Sequence, residues 1–521
     1  MKRAAVLGVL MTLVVAGCQA PVGPSVPTAD LPPPLMPAME LPAAAVDNAV
    51  AKLTGIAEDL MNSSGIPGLA VAVVHEGKTI YAKGFGVKDI RADDTLENRV
   101  NRDTVFQVAS LSKSLAATVV ARQVGAEAIA WDTPVAAKLP GFALADPAVT
   151  AMVTVGDLFA HRSGLPDHAG DLLEDLGYDR GYVLSKLREL PLDGFRTSYA
   201  YTNFGLTAAE AVAAAAGKSW EQLADDVLYE PLDMASTSSR FTDYENRSNR
   251  AVGHLRIEDR YEPRLQRDAD PQSPAGGVSS SVSDMAQWLA LILAQGKRGD
   301  LQIIDPEALL PAVTPQIVSR PPTEPAMRAG FYGYGFNVGT TSAARTQLSH
   351  SGAFELGAAA NFVVLPSADV GIVALTNATP SGVPETLTAE FADLVQFGEV
   401  REDWRGLYRD AFADMDAPVG SLVGKTPPSS PAPGPPPSEL IGTYANDYWG
   451  PATVTERDGK LTLSLGPNAA QWPLTHWDGN VFTFGFLSEN APPGTISKAS
   501  FNGDTLELEY FDAEGKGTFT R

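Results

Sequence analysis

The sequence predicts an α+β protein with a small all-β unit behind it. Three observations carry this. Strand-like pairs stand at residues 69–82 and again at 361–375, helical patterns fill the stretch between them, and period-two alternation takes over after a second proline-rich linker. Periodicity alone says only mixed α and β.

The elements follow in chain order. Residues 1–17 read as an export signal: Lys2 and Arg3 form a charged region, and Ala4 to Val15 an apolar core. Val15-Ala16-Gly17-Cys18 resembles a lipobox, in which Cys18, the single cysteine of 521 residues, would receive lipid. An ordinary secretory signal that happens to contain a cysteine is the alternative. Gln19 in place of aspartate points to the outer membrane, with the protein facing the periplasm. Residues 18–43 are proline-rich and read as a tether. A helix is expected at about 44–62, where Val46, Val50, Leu53, Ile56, Ala57 and Leu60 recur at helical spacing before Gly65 and Pro67. A hairpin follows, Leu69–Val74 and Thr79–Ala82 around His75-Glu76-Gly77-Lys78. Leu206–Ala216 and Met285–Ala294 read as helices. Asn361–Leu365 and Val370–Leu375 form the second strand pair. The first globular unit is placed at 44–418, a linker at 419–438 and an all-β unit at 439–521. In the last, Leu461–Leu465, Val481–Phe484 and Leu506–Tyr510 are strands, and Asp458-Gly459 and Asn502-Gly503 are turns. That unit is expected to be a small barrel or sandwich. Tyr448, Trp449, Trp472 and Trp477 are expected to pack its core or interface, with an active-site rim as the alternative.

Composition excludes some partners. The net charge of −23 makes nucleic acid an unfavourable partner. No two of the six histidines are paired at metal-ligand spacing, and no glycine-rich phosphate loop is present, so neither a metal nor another cofactor is expected.

The chemistry starts at Ser110-Leu111-Ser112-Lys113. A serine and a lysine three apart on a helix share one face. The residues after them, Leu115, Val119, Val120 and many alanines, make that helix apolar nearly all round, which buries it. A buried lysine loses basicity and can take the serine proton. Taken alone, Ser110 could equally be an N-cap and Lys113 a snorkelling side chain.

Further motifs bear on that choice. Tyr201-Thr202-Asn203 precedes Phe204-Gly205, and His350-Ser351-Gly352 precedes a strand-like run. His161-Arg162-Ser163-Gly164-Leu165-Pro166 and Pro274-Ala275-Gly276-Gly277-Val278 lie between. In this order, over about residues 44–400, they resemble the penicillin-recognising serine hydrolases: class C β-lactamases and related DD-carboxypeptidases, D-aminopeptidases and esterases. The resemblance implies one antiparallel sheet flanked by a helical region. It implies Ser110 as nucleophile, with Lys113 and Tyr201 sharing the proton work and either one as base. Tyr201 is preferred over Tyr199 because only Tyr201 is followed by x-Asn-x-Gly. Asn203 would bond Lys113 or a substrate carbonyl, or cap the next helix. His350, Ser351 and Gly352 would contact substrate, and the oxyanion would rest on the backbone N–H groups of Ser110 and Ala353. A β domain opening on Gly442-Thr443-Tyr444 and Gly450 is similar to one often fused behind this family.

His350 stands where β-lactamases have lysine, which leans the reading toward peptide or ester substrates. Carboxylate-bearing substrates are then expected to improve as pH falls and His350 gains charge. A class C-type β-lactamase and a non-turnover penicillin or wall-peptide sensor are the competing functions.

Overall fold

The computed structural model describes residues 32–521. The expected signal, Cys18 and most of the tether lie outside the described residues.

Eight strands build the main sheet: β1 Gly68–His75, β2 Lys78–Gly86, β3 Ile317–Arg320, β4 Gly330–Tyr332, β5 Asn337–Thr340, β6 Thr346–Phe354, β7 Ala358–Leu365 and β8 Val370–Thr376. Their order is β2-β1-β8-β7-β6-β5-β4-β3, antiparallel throughout. The two expected strand pairs are thus its centre, joined where β1 pairs with β8 from Leu69↔Thr376 to His75↔Val370. Glu76 and Gly77 both take positive φ, the conformation a two-residue hairpin needs. Strands β3 to β6 were not expected. They are short or half-polar, so their alternation is weak.

Both faces of the sheet are covered, which is why β1 reads as an unbroken apolar run. Leu69, Val71 and Val73 face helices α1 (Ala45–Ser64) and α4 (Val383–Phe397), through Leu53, Ala57, Leu387 and Phe391. Ala70, Ala72 and Val74 face α2 (Leu111–Gly125) and α3 (Val282–Leu293), through Leu115, Met285 and Leu289. Trp288 of α3 ties this side together. It is fully buried, stacks near Phe336, meets Phe362 edge-on, and donates from Nε1 to Thr118 Oγ1 of α2 at 3.0 Å. The expected helix at Leu206–Ala216 is broken into Asn203–Thr207 and Glu210–Ala216. At the break the Thr207 hydroxyl bonds back to the Asn203 carbonyl at 2.9 Å, which competes with the helical ladder.

Behind residue 440 lie two further sheets. One holds β9 Gly442–Tyr444, β10 Ala452–Arg457, β11 Lys460–Leu465 and β12 Ala470–Pro473. The other holds β13 Thr475–Asp478, β14 Val481–Gly485, β15 Ile496–Asn502, β16 Thr505–Leu508 and β17 Thr518–Thr520. Asp458 and Gly459 form the expected turn between β10 and β11, both at positive φ. Tyr448 and Trp449 are buried, and their carbonyls accept from Tyr182 and Tyr178 of the first unit, so they serve the core and the interface. The two proline-rich segments are not free tethers where they are described. Ala38 N–H donates to Ala343 O at 2.9 Å, and Arg345 reaches Met39 O at 2.7 Å. Ile496 N–H donates to Val419 O, and Ala432 N–H to Asp478 Oδ1. Extended segments leave their few N–H groups and their carbonyls open, and neighbouring loop and strand residues take them up. Among the described residues no helix is long and apolar enough to cross a membrane.

Trp288→Ala is expected to remove about 3–5 kcal/mol of stability through the cavity it leaves. Urea unfolding checks this, and a loss under about 1 kcal/mol would contradict the packing described.

Candidate active site

The site forms where the N-terminus of α2 meets β6. Ala109 sits in the left-handed region at φ 46°, which is costly for a residue with a Cβ and sharpens the turn before Ser110. Ser110 makes no capping bond with its side chain, so its hydroxyl is not spent on the helix. That hydroxyl lies 3.1 Å from Lys113 Nζ.

Lys113 is fully buried. Its ammonium has two further acceptors, Asn203 Oδ1 at 2.6 Å and Ala275 O at 3.0 Å. It also lies 4.5 Å from the centre of the Tyr201 ring. None of these partners is a carboxylate. Burial therefore pushes its pKa down to about 7, with Arg267 adding to the fall and Asp171 and Glu174 opposing it from farther off. Tyr201 is displaced the other way. Burial drives the phenol well above 10, against a hydrogen bond with Ser110 that favours ionisation. Tyr201, not Tyr199, is the tyrosine at Ser110.

Asn203 links the lysine to the wall. Its Oδ1 accepts from Lys113, and its Nδ2 donates to Asp171 Oδ2 at 2.7 Å. The same carboxylate oxygen lies 2.9 Å from His168 Nδ1. The sequence reading did not pick out Asp171, His168 or the Ala275 carbonyl. The only signal for them is their closeness to the 161–166 and 274–278 motifs. His161 packs 4.5 Å from the Tyr201 ring, ring centre to ring centre, and takes the Thr202 N–H on Nδ1 at 3.1 Å. Its burial holds it well below the usual histidine range, hence neutral.

Strand β6 supplies the other wall. A Cβ on Gly352 would stand 2.3 Å from Val108 O and 3.1 Å from Ser110 N, so only glycine lets the strand approach the nucleophile turn this closely. β5 pairs with β6 only over Thr346–Ser349, whereas β7 pairs with it up to Phe354. The Ser110-side edge from His350 onward is left without a partner strand. Ser110, Tyr201, Asn203, Ser351 and Ala353 all line one cavity of about 410 Å³. Glu489, Asn490 and Pro492 of the all-β unit line it too, in place of the four aromatics considered for the rim.

His350 corrects an expectation. It is buried, Nε2 lies 2.8 Å from the Tyr332 hydroxyl, and Nδ1 lies 2.7 Å from the Ser351 carbonyl. Burial and the nearby Lys113 push its pKa down to about 3. It lies on the Gly352 face of β6, its ring centre 6.3 Å from that of Tyr201, with no charge to anchor a carboxylate near neutral pH.

Comparison with known proteins gives two matching family models. "Beta-lactamase" matches residues 53–397, and a domain of unknown function, DUF3471, matches residues 426–518. The chain is 28% identical over 464 residues to "Unguisins hydrolase ungD" of Aspergillus violaceofuscus, covering 80% of each chain. Among solved structures, the octameric penicillin-binding protein homologue of Pyrococcus abyssi superimposes with a TM-score of 0.58 at 19% identity, covering 88% of this chain and 98% of that one. A class C β-lactamase of Rhodobacter sphaeroides gives 0.54 at 22%, covering 67% and 98%. At these identities the two structures speak for the fold.

The neutral form of Lys113 is the one that can accept a proton, so activity is expected to rise with pH through about 7. The gain between pH 6 and 8 is about tenfold in kcat/KM. Esters with and without a carboxylate should share that limb, because His350 stays neutral above about pH 5. A rise in carboxylate-ester turnover relative to neutral-ester turnover below pH 7 would reinstate His350 as an anchor.

Proposed function

We propose, from the premise that this chain belongs to the Beta-lactamase family, that it is a serine hydrolase working through a Ser110 acyl-enzyme on peptide amides or small esters. The observation that carries this is the buried Lys113 ammonium, 3.1 Å from Ser110 Oγ with no carboxylate in contact. Ser110 Oγ bonds to the substrate carbonyl carbon while its proton passes to neutral Lys113. The carbonyl electron pair moves onto oxygen, and the N–H groups of Ser110 and Ala353 are assigned as its donors. Collapse expels the amine or alcohol, which takes a proton from the Tyr201 phenol, and Lys113 restores the phenol. Water then attacks the ester carbonyl and gives a proton to Lys113; collapse breaks the bond from Ser110 Oγ to the carbonyl carbon, releases the acid, and Lys113 returns the proton to Ser110. The open edge of β6 suits an extended peptide, which can pair with it as an added strand. The neutral His350 supports peptides and esters over β-lactams.

We also propose that the chain is a lipoprotein anchored through Cys18 in the cell envelope and facing the periplasm. The charged, apolar and small-residue pattern around the single cysteine supports this. Residues 44–418 then act as the hydrolase unit, tethered to the membrane by the segment before them.

Intact-mass labelling tests the first proposal. A fluorophosphonate probe is expected to add once to the wild type and not to Ser110→Ala. Benzylpenicillin is expected to give no rapid turnover. Absence of any adduct on folded protein would exclude an active serine, and fast penicillin hydrolysis would restore the β-lactamase reading. For the second proposal, cells fed an alkyne fatty acid should label the wild type. Cys18→Ser should be unlabelled and released by a salt wash, and label retained in that variant would refute the anchor.

A further inference from the structure

One side chain in the Ser110 cavity has no role in the steps above. Glu355 follows the open edge of β6, two residues past Ala353, so the two lie within roughly 7 Å along the chain. It is only 6% exposed and lines the cavity with Ser110. Its Oε1 has no hydrogen-bond partner. Its backbone, in contrast, is tied at both ends. The N–H donates to Glu489 Oε1 at 2.9 Å, and the carbonyl accepts from Thr379 Oγ1 at 2.9 Å.

The charged groups that act on Glu355 are Asp416, just before the linker, and Glu489 of the all-β unit, both acidic. Asp416 Oδ1 also lacks a partner. The nearest cation lining the cavity is Arg267, and it is already matched. It donates to Glu174 at 2.6 Å, lies 3.5 Å from Asp175 and 3.8 Å from Glu489, and rests 5.1 Å from the centre of the Phe354 ring. With no cation of its own, Glu355 is pushed up to about 8 by burial and by its two acidic neighbours. A desolvated carboxyl of this kind is costly unless a ligand supplies the missing charge. Among the described residues no group of three side chains is arranged to hold a metal ion. An ammonium, with three N–H donors and no fixed coordination geometry, suits one unpartnered carboxylate in acidic surroundings.

We propose that Glu355, flanked by Glu489 and Asp416, is a subsite for an ammonium group of the substrate, so that the enzyme selects amides or esters carrying a cationic amine near the scissile carbonyl. This rests on the reading of Ser110 as nucleophile. It names the substrate class of that site. The ammonium can be a free α-amine or a basic side chain, and the two are separated by experiment.

The full chain is assayed with alanine p-nitroanilides of both hands, their N-acetyl counterparts, and Nα-acetyl-lysine p-nitroanilide. Wild type is expected to favour an ammonium-bearing substrate over its neutral counterpart at least tenfold in kcat/KM. A preference for free alanine identifies an α-amine, and a preference for acetyl-lysine over acetyl-alanine identifies a side chain. In Glu355→Gln that ratio should fall tenfold or more, mainly through KM. Calorimetric titration of n-butylammonium, with n-butanol as the neutral control, reads the subsite without turnover. Binding of the ammonium alone, lost in Glu355→Gln, supports the proposal even if that variant is catalytically impaired. No ammonium preference and no butylammonium binding in a wild type that hydrolyses esters would overturn the subsite alone. Absence of a Ser110 adduct would overturn the reading beneath it, and ammonium binding would still report on Glu355.

Discussion

The placement of one lysine governs the rest of this structure. Lys113 is held at full burial by a hydroxyl, an amide oxygen and a backbone carbonyl. A carboxylate in any of those positions would fix it as a cation, and water in their place would do the same. Three neutral dipoles satisfy its hydrogen bonds while leaving its proton removable near neutral pH. The acidic group nearest in the network, Asp171, is kept one residue away by Asn203, which accepts from the lysine on one atom and donates to the carboxylate from the other.

That arrangement requires a helix buried on every side. α2 gets its cover from the inner face of the sheet, from α3 through Trp288 and Thr118, and from the segments that carry Ala275 and Asn203. The opposite face is closed by α1 and α4, so the sheet is a rigid central layer. Rigidity matters most at β6. Gly352 fixes how closely that strand approaches the Ser110 turn, and with it where the Ala353 amide stands. Preorganised donors stabilise a developing oxyanion only if they need not move to meet it.

The all-β unit belongs to the site as well. Ser488 and Asn490 bond Asp175, and Glu489 takes the backbone N–H of Glu355. Arg267 sits among Glu174, Asp175 and Glu489, which joins the two units through charges largely removed from water. Such a cluster is poor stabilisation for its size, but breaking one member leaves the others uncompensated, so it holds a definite orientation. The Ser110 cavity is therefore walled by three parts of the chain: the body of the hydrolase unit, the segment at 414–419 that leads into the linker, and the loop at 489–492.

Sequence by itself determined the mixed class, the central strands, the all-β tail and the core of the site. Continuous apolar runs must be buried on both faces, Asp-Gly turns dictate hairpins, and a serine and a lysine one helical turn apart share a helix face. The order of short motifs then put Tyr201, Asn203 and Gly352 near them. What the sequence left open depended on contacts between distant segments. Strands β3 to β5 are too short, and β6 too polar, to show themselves without partners. The state of His350 followed from burial against Tyr332, which no local pattern encodes. Asp171, Ala275 and Glu355 gained their places only once segments as far along the chain as Glu355 closed round Ser110. Charge and burial at a site are properties of that closure, because desolvation depends on what surrounds a group and not on its neighbours along the chain.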